Sequence, residues 1–277
     1  MISLSKIKNI IARRLMTYIP PWTATYWADK PFGDKAQASK EEYLRLWNNE
    51  KSNTYPDIDT LENDIGEKID KDWMDDLALH TQIVIKSSPL CYQHGRILYA
   101  ALKSYCAQSE AQNLTVFETG TARGFSSLIM SKALEDAKKP GKIITFDVLP
   151  HYSPIYWNCI DDNEGKKSRA QLLSSWQKEL DNIIFVEGDS RLNLKSIKSD
   201  RIHFAFLDGA HSYEHVLFEF KTIMARQIIG DVIVFDDYNQ SDFSGLVEAV
   251  DYGCNQFDYH KQVIRLSGTD RAYVIAT

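Results

Sequence analysis

The sequence predicts an α/β protein: a doubly wound, mostly parallel seven-stranded sheet preceded by a mainly helical N-terminal extension. Three observations lead there. From Pro89 onward, short apolar segments alternate with helical ones. Segments such as Ile183-Ile-Phe-Val and Val232-Ile-Val-Phe are apolar throughout, as expected of parallel strands covered on both faces. Residues 1–88 lack that alternation. Strands separated by helices imply right-handed βαβ crossovers, so the chain divides into an extension over 1–88 and a sheet domain over 89–277.

In the extension, Leu4, Ile7, Ile11, Leu15 and Ile19 recur at three- and four-residue steps, predicting an amphipathic helix. Its polar side carries Lys6, Lys8, Arg13 and Arg14. Three roles are open to residues 1–19: cover for the domain, contact with a second copy in a homo-oligomer, or adhesion to an anionic membrane surface. A Lys-Pro-Phe-Gly turn at 30–33 and a helical stretch around 40–48 follow. Residues 57–76 carry nine Asp/Glu against Lys68 and Lys71.

The domain opens with a helix over 89–108, with Leu98, Ala101, Leu102 and Tyr105 on one face. Strands are expected at 114–118, 142–147, 183–187, 203–208 and 232–236, and helices at about 125–138, 167–180, 212–228 and 242–254. Segments 262–266 and 271–276, joined through Ser-Gly-Thr-Asp, read as a closing hairpin.

Composition narrows the class. The net charge of −6 from 32 Lys+Arg and 38 Asp+Glu argues against a protein held to nucleic acid by bulk charge. Cys91, Cys106, Cys159 and Cys254 have no paired short spacing, so neither a disulfide framework nor a structural zinc site is expected. No apolar run approaches the ~18 residues of a transmembrane segment, and no clean signal-peptide core stands out. A cytoplasmic location is the expectation.

Ligands of open α/β sheets bind beyond the carboxyl ends of the strands. An acid stands at or near every one of those ends here: Glu118, Asp147, Asp189, Asp208, and Asp236 with Asp237. The first turn reads Glu118-Thr-Gly120-Thr-Ala-Arg-Gly124-Phe-Ser126. Gly120 permits a tight turn and Gly124 lets backbone approach a ligand where the next helix begins. The nicotinamide-dinucleotide spacing is absent, because Ala122 and Phe125 occupy two of its glycine positions. Taken alone, such a turn can also be purely structural. Asp147 could accept both hydroxyls of a ribose, and Asp189 stands where a side chain could reach an adenine edge. With no phosphate loop, the set describes a slot for a nucleoside derivative.

A second group pairs Leu207-Asp208-Gly-Ala-His211 with Phe235-Asp236-Asp237-Tyr238, one βαβ step apart. Three converging carboxylates repel, by on the order of 4 kcal/mol for a pair about 4 Å apart at an effective dielectric near 20. Either one takes up a proton or a cation sits among them, and an all-oxygen set favours Mg²⁺. The alternative is that Asp236 caps a loop and Asp237 is solvated. The long aromatic loop after Asp147 holds His151, Tyr152, Tyr156 and Trp157. It could act as a substrate lid or pack against the extension.

In its order of Glu118-x-Gly120-x-x-x-Gly124, Asp147, Gly188-Asp189, Asp208 and Asp236-Asp237, the chain resembles the class I S-adenosylmethionine-dependent methyltransferases. Within them it is similar to the Mg-dependent small-molecule O-methyltransferases of the catechol and macrolide-sugar type. The resemblance covers about residues 90–277. It implies the Rossmann-like methyltransferase fold, with one antiparallel strand closing the sheet. It implies S-adenosyl-L-methionine as cofactor, with Gly120 and Gly124 along its methionine part, Ser126 at its carboxylate, Asp147 at its ribose and Asp189 at its adenine. It favours Mg²⁺ at Asp208, Asp236 and Asp237, and methyl transfer to a hydroxyl of a small molecule or saccharide. His211 stands where catechol enzymes carry a basic lysine, so the base is His211 or Asp208; His211 could instead make only backbone contacts at a helix start. A metal-independent N- or C-methyltransferase and a non-catalytic cofactor-binding subunit are the competing readings. Nucleic acid is not an expected substrate.

Overall fold

The computed structural model describes residues 30–277. The amphipathic helix expected over residues 4–19, with its three roles, lies outside the described residues.

Seven strands form one sheet: β1 (Leu114–Thr119), β2 (Gly141–Asp147), β3 (Ile183–Glu187), β4 (Phe204–Leu207), β5 (Val232–Phe235), β6 (Lys261–Arg265) and β7 (Ala272–Ala276). Their order is β3-β2-β1-β4-β5-β7-β6. The first five run parallel, and β7 lies antiparallel between β5 and β6. Strand order reverses between β1 and β4, and ligands of open α/β sheets bind at such a switch. β6 and β7 make the expected hairpin.

Alternation along each strand divides the core between the two faces. Val116, Phe204 and Phe206 join one apolar cluster, while Phe117, Ala205 and Leu207 join the other. The second cluster is covered by α9 (Tyr213–Met224) and α10 (Ser244–Gln256) through Val216, Phe220, Leu246 and Val250. The first is covered by α4 (His94–Gln108) and α5 (Phe125–Asp136). Residues on both faces of β4 and β5 are therefore buried, which accounts for their uniformly apolar sequence, whereas the edge strand β3 is only partly buried and exposes Ile184.

The extension is more regular than its sequence predicts. Besides α1 (Lys40–Lys51), which contains the expected 40–48 stretch, it forms α2 (Pro56–Ile65) and α3 (Lys71–Thr81). Local rules start each helix. Ser39 caps α1 by accepting from Glu42 N, Pro56 takes the first turn of α2, and Asp70 caps α3 by accepting from Trp73 N. Tyr43, Ile58, Leu61, Met74 and Leu77 are buried in the same cluster as α4 and α5.

The acidic 57–76 segment is spent on tethers. Glu62 and Asp59 bind the Arg96 guanidinium, and Asp75 accepts from Tyr92 Oη at 2.8 Å. Asp57 accepts from Ser267 N at 2.8 Å and Ser267 Oγ at 3.1 Å, joining α2 to the β6–β7 turn.

Two expectations about helices need correction, and one helix is added. The first domain helix begins at His94 rather than residue 89, because 89–93 form an irregular approach. The helix expected over 167–180 is broken into α6 (Arg169–Leu172), a 3₁₀ turn over Ser174–Trp176 and α7 (Gln177–Leu180). Leu172, Leu173 and Trp176 are all buried and imitate helical spacing, but they do so across that turn. A short helix, α8 (Ser190–Ser196), capped by Asp189, was not expected at all.

Candidate active site

The ends of β1, β4 and β5 open into a cleft of about 740 Å³. Its walls include Gly120, Ser126, His94, Asp208, Asp236 and Asp237, together with Tyr55, Lys86 and Arg271.

Glu118 sits at the end of β1 with no solvent exposure. It accepts from Ser126 Oγ, Ser127 Oγ and, at 2.5 Å, Thr145 Oγ1. Burial pushes its carboxyl up and the three hydroxyls pull it back. Glu118 thus brackets β1, β2 and the start of α5 together, and Ser126 lines the cleft with its hydroxyl committed to that bracket.

The turn after Glu118 is left-handed at Gly120 (φ 89°), Ala122 (φ 45°) and Gly124 (φ 95°). A Cβ on Gly120 would overlap the carbonyl oxygen of Asp208, so two strand ends meet there backbone to backbone. Gly124 is the N-cap of α5 and offers no side-chain cap, leaving the amides of its first turn to other partners.

Asp147 closes over this turn. Its Oδ2 accepts from Ala122 N and its Oδ1 from Leu149 N, both at 2.6 Å, with Arg169 Nη2 3.9 Å away. Burial raises its carboxyl, and Arg169 opposes that. Asp189 lies apart, outside the cleft-lining residues. It caps α8 and forms an ion pair with Arg191, while His215 Nε2 stands 3.9 Å from it. So Gly120, Gly124, Ser126 and Asp147 come together, and Asp189 is further along the sheet.

The ends of β4 and β5 bring Asp208, His211 and Asp237 together. One ligand atom from each lies within 4.8 Å of the others. His211 Nε2 is 3.6 Å from Asp208 Oδ1 and 3.7 Å from Asp237 Oδ2, too far for a hydrogen bond to either. It is buried and unpartnered among the described residues. The ring is held edge-on against Phe243 at 4.3 Å. Ser212, not His211, caps α9 by accepting from His215 N. Asp237 has φ 53°, and its amide donates to Asp236 Oδ1 at 2.6 Å. Asp236 therefore stands behind the trio, its Oδ2 3.8 Å from His94 Nδ1.

Burial and the neighbouring Asp236 and Asp237 carboxylates push Asp208 up to about 8. Asp237 is also raised, by burial and then Asp236. Burial alone would lower His211, but Asp208 and Asp237 raise it above its ordinary value. At neutral pH the group thus holds a proton more tightly than free side chains would. A cation in its place would relieve the same repulsion.

His94 had no role in the sequence reading. It is buried between Phe125 (5.0 Å, edge-on) and Phe206 (6.1 Å, stacked), and burial lowers it to about 3, so it is neutral. No spacing signals it, because its acidic neighbour Asp236 is on the other side of the domain in sequence. Lys86 and Arg271 were missed for the same reason.

The loop after Asp147 is packed down. Trp157 is fully buried, and its Nε1 donates to Lys167 O at 2.7 Å. Asn158 exchanges hydrogen bonds with Ile85 and accepts from Tyr43 Oη, which pins the loop to the extension. His151 stacks on Phe185 at 4.1 Å, away from the cleft-lining residues, and Tyr152 is exposed.

A pH dependence of stability follows. Glu219 is buried, accepts from Ser190 Oγ and Thr119 Oγ1, and is pushed up to about 7 by burial. With Asp208, it keeps its proton in the fold where the unfolded chain has released it. That stability is full below about pH 4 and is lost as pH rises through 7 to 8. Neutral His94 acts only below about pH 6.5, where it charges on unfolding. The melting temperature should therefore fall between about pH 6.5 and 8, with a shallower fall in Glu219→Gln. An unchanged slope in that variant, measured by thermal denaturation, would remove Glu219 from the account.

Residues 117–238 match the family described as a methyltransferase domain. No curated protein matches the chain in sequence. Among solved structures, the chain is similar to the O-methyltransferase TomG from Streptomyces achromogenes in complex with SAM. That match has TM-score 0.51 and 16% identity, covering 76% of this chain and 90% of that one. It is similar to the O-methyltransferase from Bacillus cereus in complex with SAH, at TM-score 0.51 and 14% identity over 79% and 96% of the two chains. For the O-methyltransferase NovP the values are 0.50 and 16%, over 68% and 81%. What is shared at these identities is the Rossmann-like methyltransferase fold. No helix of the described residues is long and apolar enough to cross a membrane.

Proposed function

We propose that this methyltransferase domain moves a methyl group from S-adenosyl-L-methionine to a hydroxyl of a small molecule or saccharide. The observation that carries the proposal is His211 Nε2, buried, unpartnered, and set 3.6 and 3.7 Å from the carboxylates of Asp208 and Asp237, which line the cleft. A base so placed can take the acceptor proton at Nε2. The flanking carboxylates stabilise the imidazolium that forms, and Phe243 fixes the ring. Asp208 is the second candidate for the base, its carboxyl already inclined to hold a proton. On the cofactor side, Gly120, Gly124, Ser126 and Asp147 would hold S-adenosylmethionine, with Asp189 at the adenine end.

The donor set fits a divalent cation. Its carboxylate oxygens suit Mg²⁺, and the repulsion seen at Asp208 is what a cation removes. Asp208 and Asp237 would be its ligands, with Asp236 behind them bracing Asp237 through its amide, leaving His211 as base. Bound there, Mg²⁺ would lower the acceptor hydroxyl's pKa and fix its position. His211 could itself serve as a ligand, which would favour a softer metal.

Incubation with labelled S-adenosylmethionine, Mg²⁺ and a small-molecule extract should transfer label to an oxygen of a hydroxylated compound. Calorimetry with S-adenosylhomocysteine should show binding. No binding at millimolar concentration would overturn the cofactor reading. Transfer that survives chelation would remove the metal, and label on nitrogen or carbon would replace the acceptor.

A further inference from the structure

The cleft is also lined by two cations that the chemistry above does not use. Lys86 lies in the segment between α3 and α4, and Arg271 lies just before β7. Among the described residues, neither has a carboxylate oxygen within the 4.0 Å of an ion pair. The Arg271 guanidinium makes one long hydrogen bond, Nη2 to Pro89 O at 3.4 Å. Elsewhere the fold pairs its half-buried arginines closely, as in Arg201 with Asp231 at 2.7 Å and Arg96 with Asp59 at 2.6 Å.

Their simplest use would be as counterions to Asp236 and Asp237. Both cations do favour the ionised form of Asp236. Counterions that could reach those carboxylates would close to ion-pair distance, however, and these have not. Lys86, although exposed, is instead held below its ordinary value by partial desolvation against the cleft and then by the charge of Arg271. Two cations lining a cavity with no carboxylate at ion-pair distance can receive an anionic group there. Asp208, Asp236 and Asp237 line the same cleft as the cation pair, so a single bound molecule can meet both.

We propose that Lys86 and Arg271 bind an anionic group, a carboxylate or a phosphate, on the hydroxylated acceptor. The group anchors one end of the molecule while its hydroxyl is presented to His211. The identity of this ligand as the acceptor rests on the methyl-transfer reading; the anion site itself does not.

Binding of glucose, glucuronate and glucose 1-phosphate to the full chain tests it, by saturation-transfer NMR with and without S-adenosylhomocysteine. At low salt at least one anion should bind about tenfold more tightly than glucose. Whichever anion is preferred separates carboxylate from phosphate. The paired substitution Lys86→Gln with Arg271→Gln should abolish the preference, and Arg271→Lys should retain most of it. Thermal denaturation confirms folding, and Lys86→Gln alone, at an exposed position, serves if the pair unfolds. Equal binding of all three sugars, no binding of either anion, or a preference that survives the folded variants would overturn the proposal. Failure of S-adenosylhomocysteine to bind, with the anion preference intact, would instead overturn the cofactor reading alone.

Discussion

Asp208→Asn is expected to lower methyl transfer by about two to four orders of magnitude, the range spanned by loss of acid–base function. The substitution keeps the side chain's shape and removes its charge. His211 loses the nearer of its two carboxylate partners, 3.6 Å away, and a cation would lose a ligand. Stability should move the other way. Asp208 is pushed up to about 8 by burial and by its neighbours, so a neutral side chain there relieves repulsion. The variant should melt at a higher temperature than the parent near pH 8, a trade of stability for activity common at working sites. Single-turnover rates, S-adenosylhomocysteine calorimetry and melting curves separate these effects. Undiminished transfer would exclude Asp208 from the chemistry.

Gly120→Ala should cost about 3 to 5 kcal/mol and abolish cofactor binding. Two penalties combine: φ is 89°, and the added Cβ meets the carbonyl oxygen of Asp208, which is backbone and cannot step aside. Gly66→Ala is the control. There φ is 81° but nothing lies within 4 Å of the new Cβ, so only conformational strain of about 1 to 2 kcal/mol is added. Denaturant unfolding of the two variants measures the difference. Equal losses would mean that the overlap at Gly120 is relieved by relaxation.

The sheet was legible in the sequence because β3, β4 and β5 each show four consecutive apolar residues followed by an acid, and β1 and β2 depart from that pattern by a single Thr before their acid. The closing hairpin was legible from its turn. The extension was not. In α2 and α3 the buried face includes Glu62 and Asp75, whose charges are met by Arg96, Tyr92 and Lys71. Those acids break up the apolar periodicity that marks a helix. The 3₁₀ turn at Ser174–Trp176 was hidden for the opposite reason, since its apolar residues keep helical spacing.

The site divides in the same way. Asp208, His211, Asp236 and Asp237 each sit beside a strand end, where local sequence announces position. Glu118 was found, but not its bonding to Ser126, Ser127 and Thr145, which turns it inward. His94, Lys86 and Arg271 reach the cleft only through long-range packing. No local pattern could have announced them.

The hydrogen bonds from Ser267 to Asp57 bear on how the protein could be re-engineered. They stitch the extension to the turn between β6 and β7, so the cleft wall is a composite of segments from both ends of the chain. On the proposed function, acceptor preference is therefore not a portable module. A chimera that imports only the extension would face a foreign turn, and one that imports only the turn would leave Asp57 without its partner. A transplant of specificity has to carry both segments, 55–93 and 266–271, as one unit.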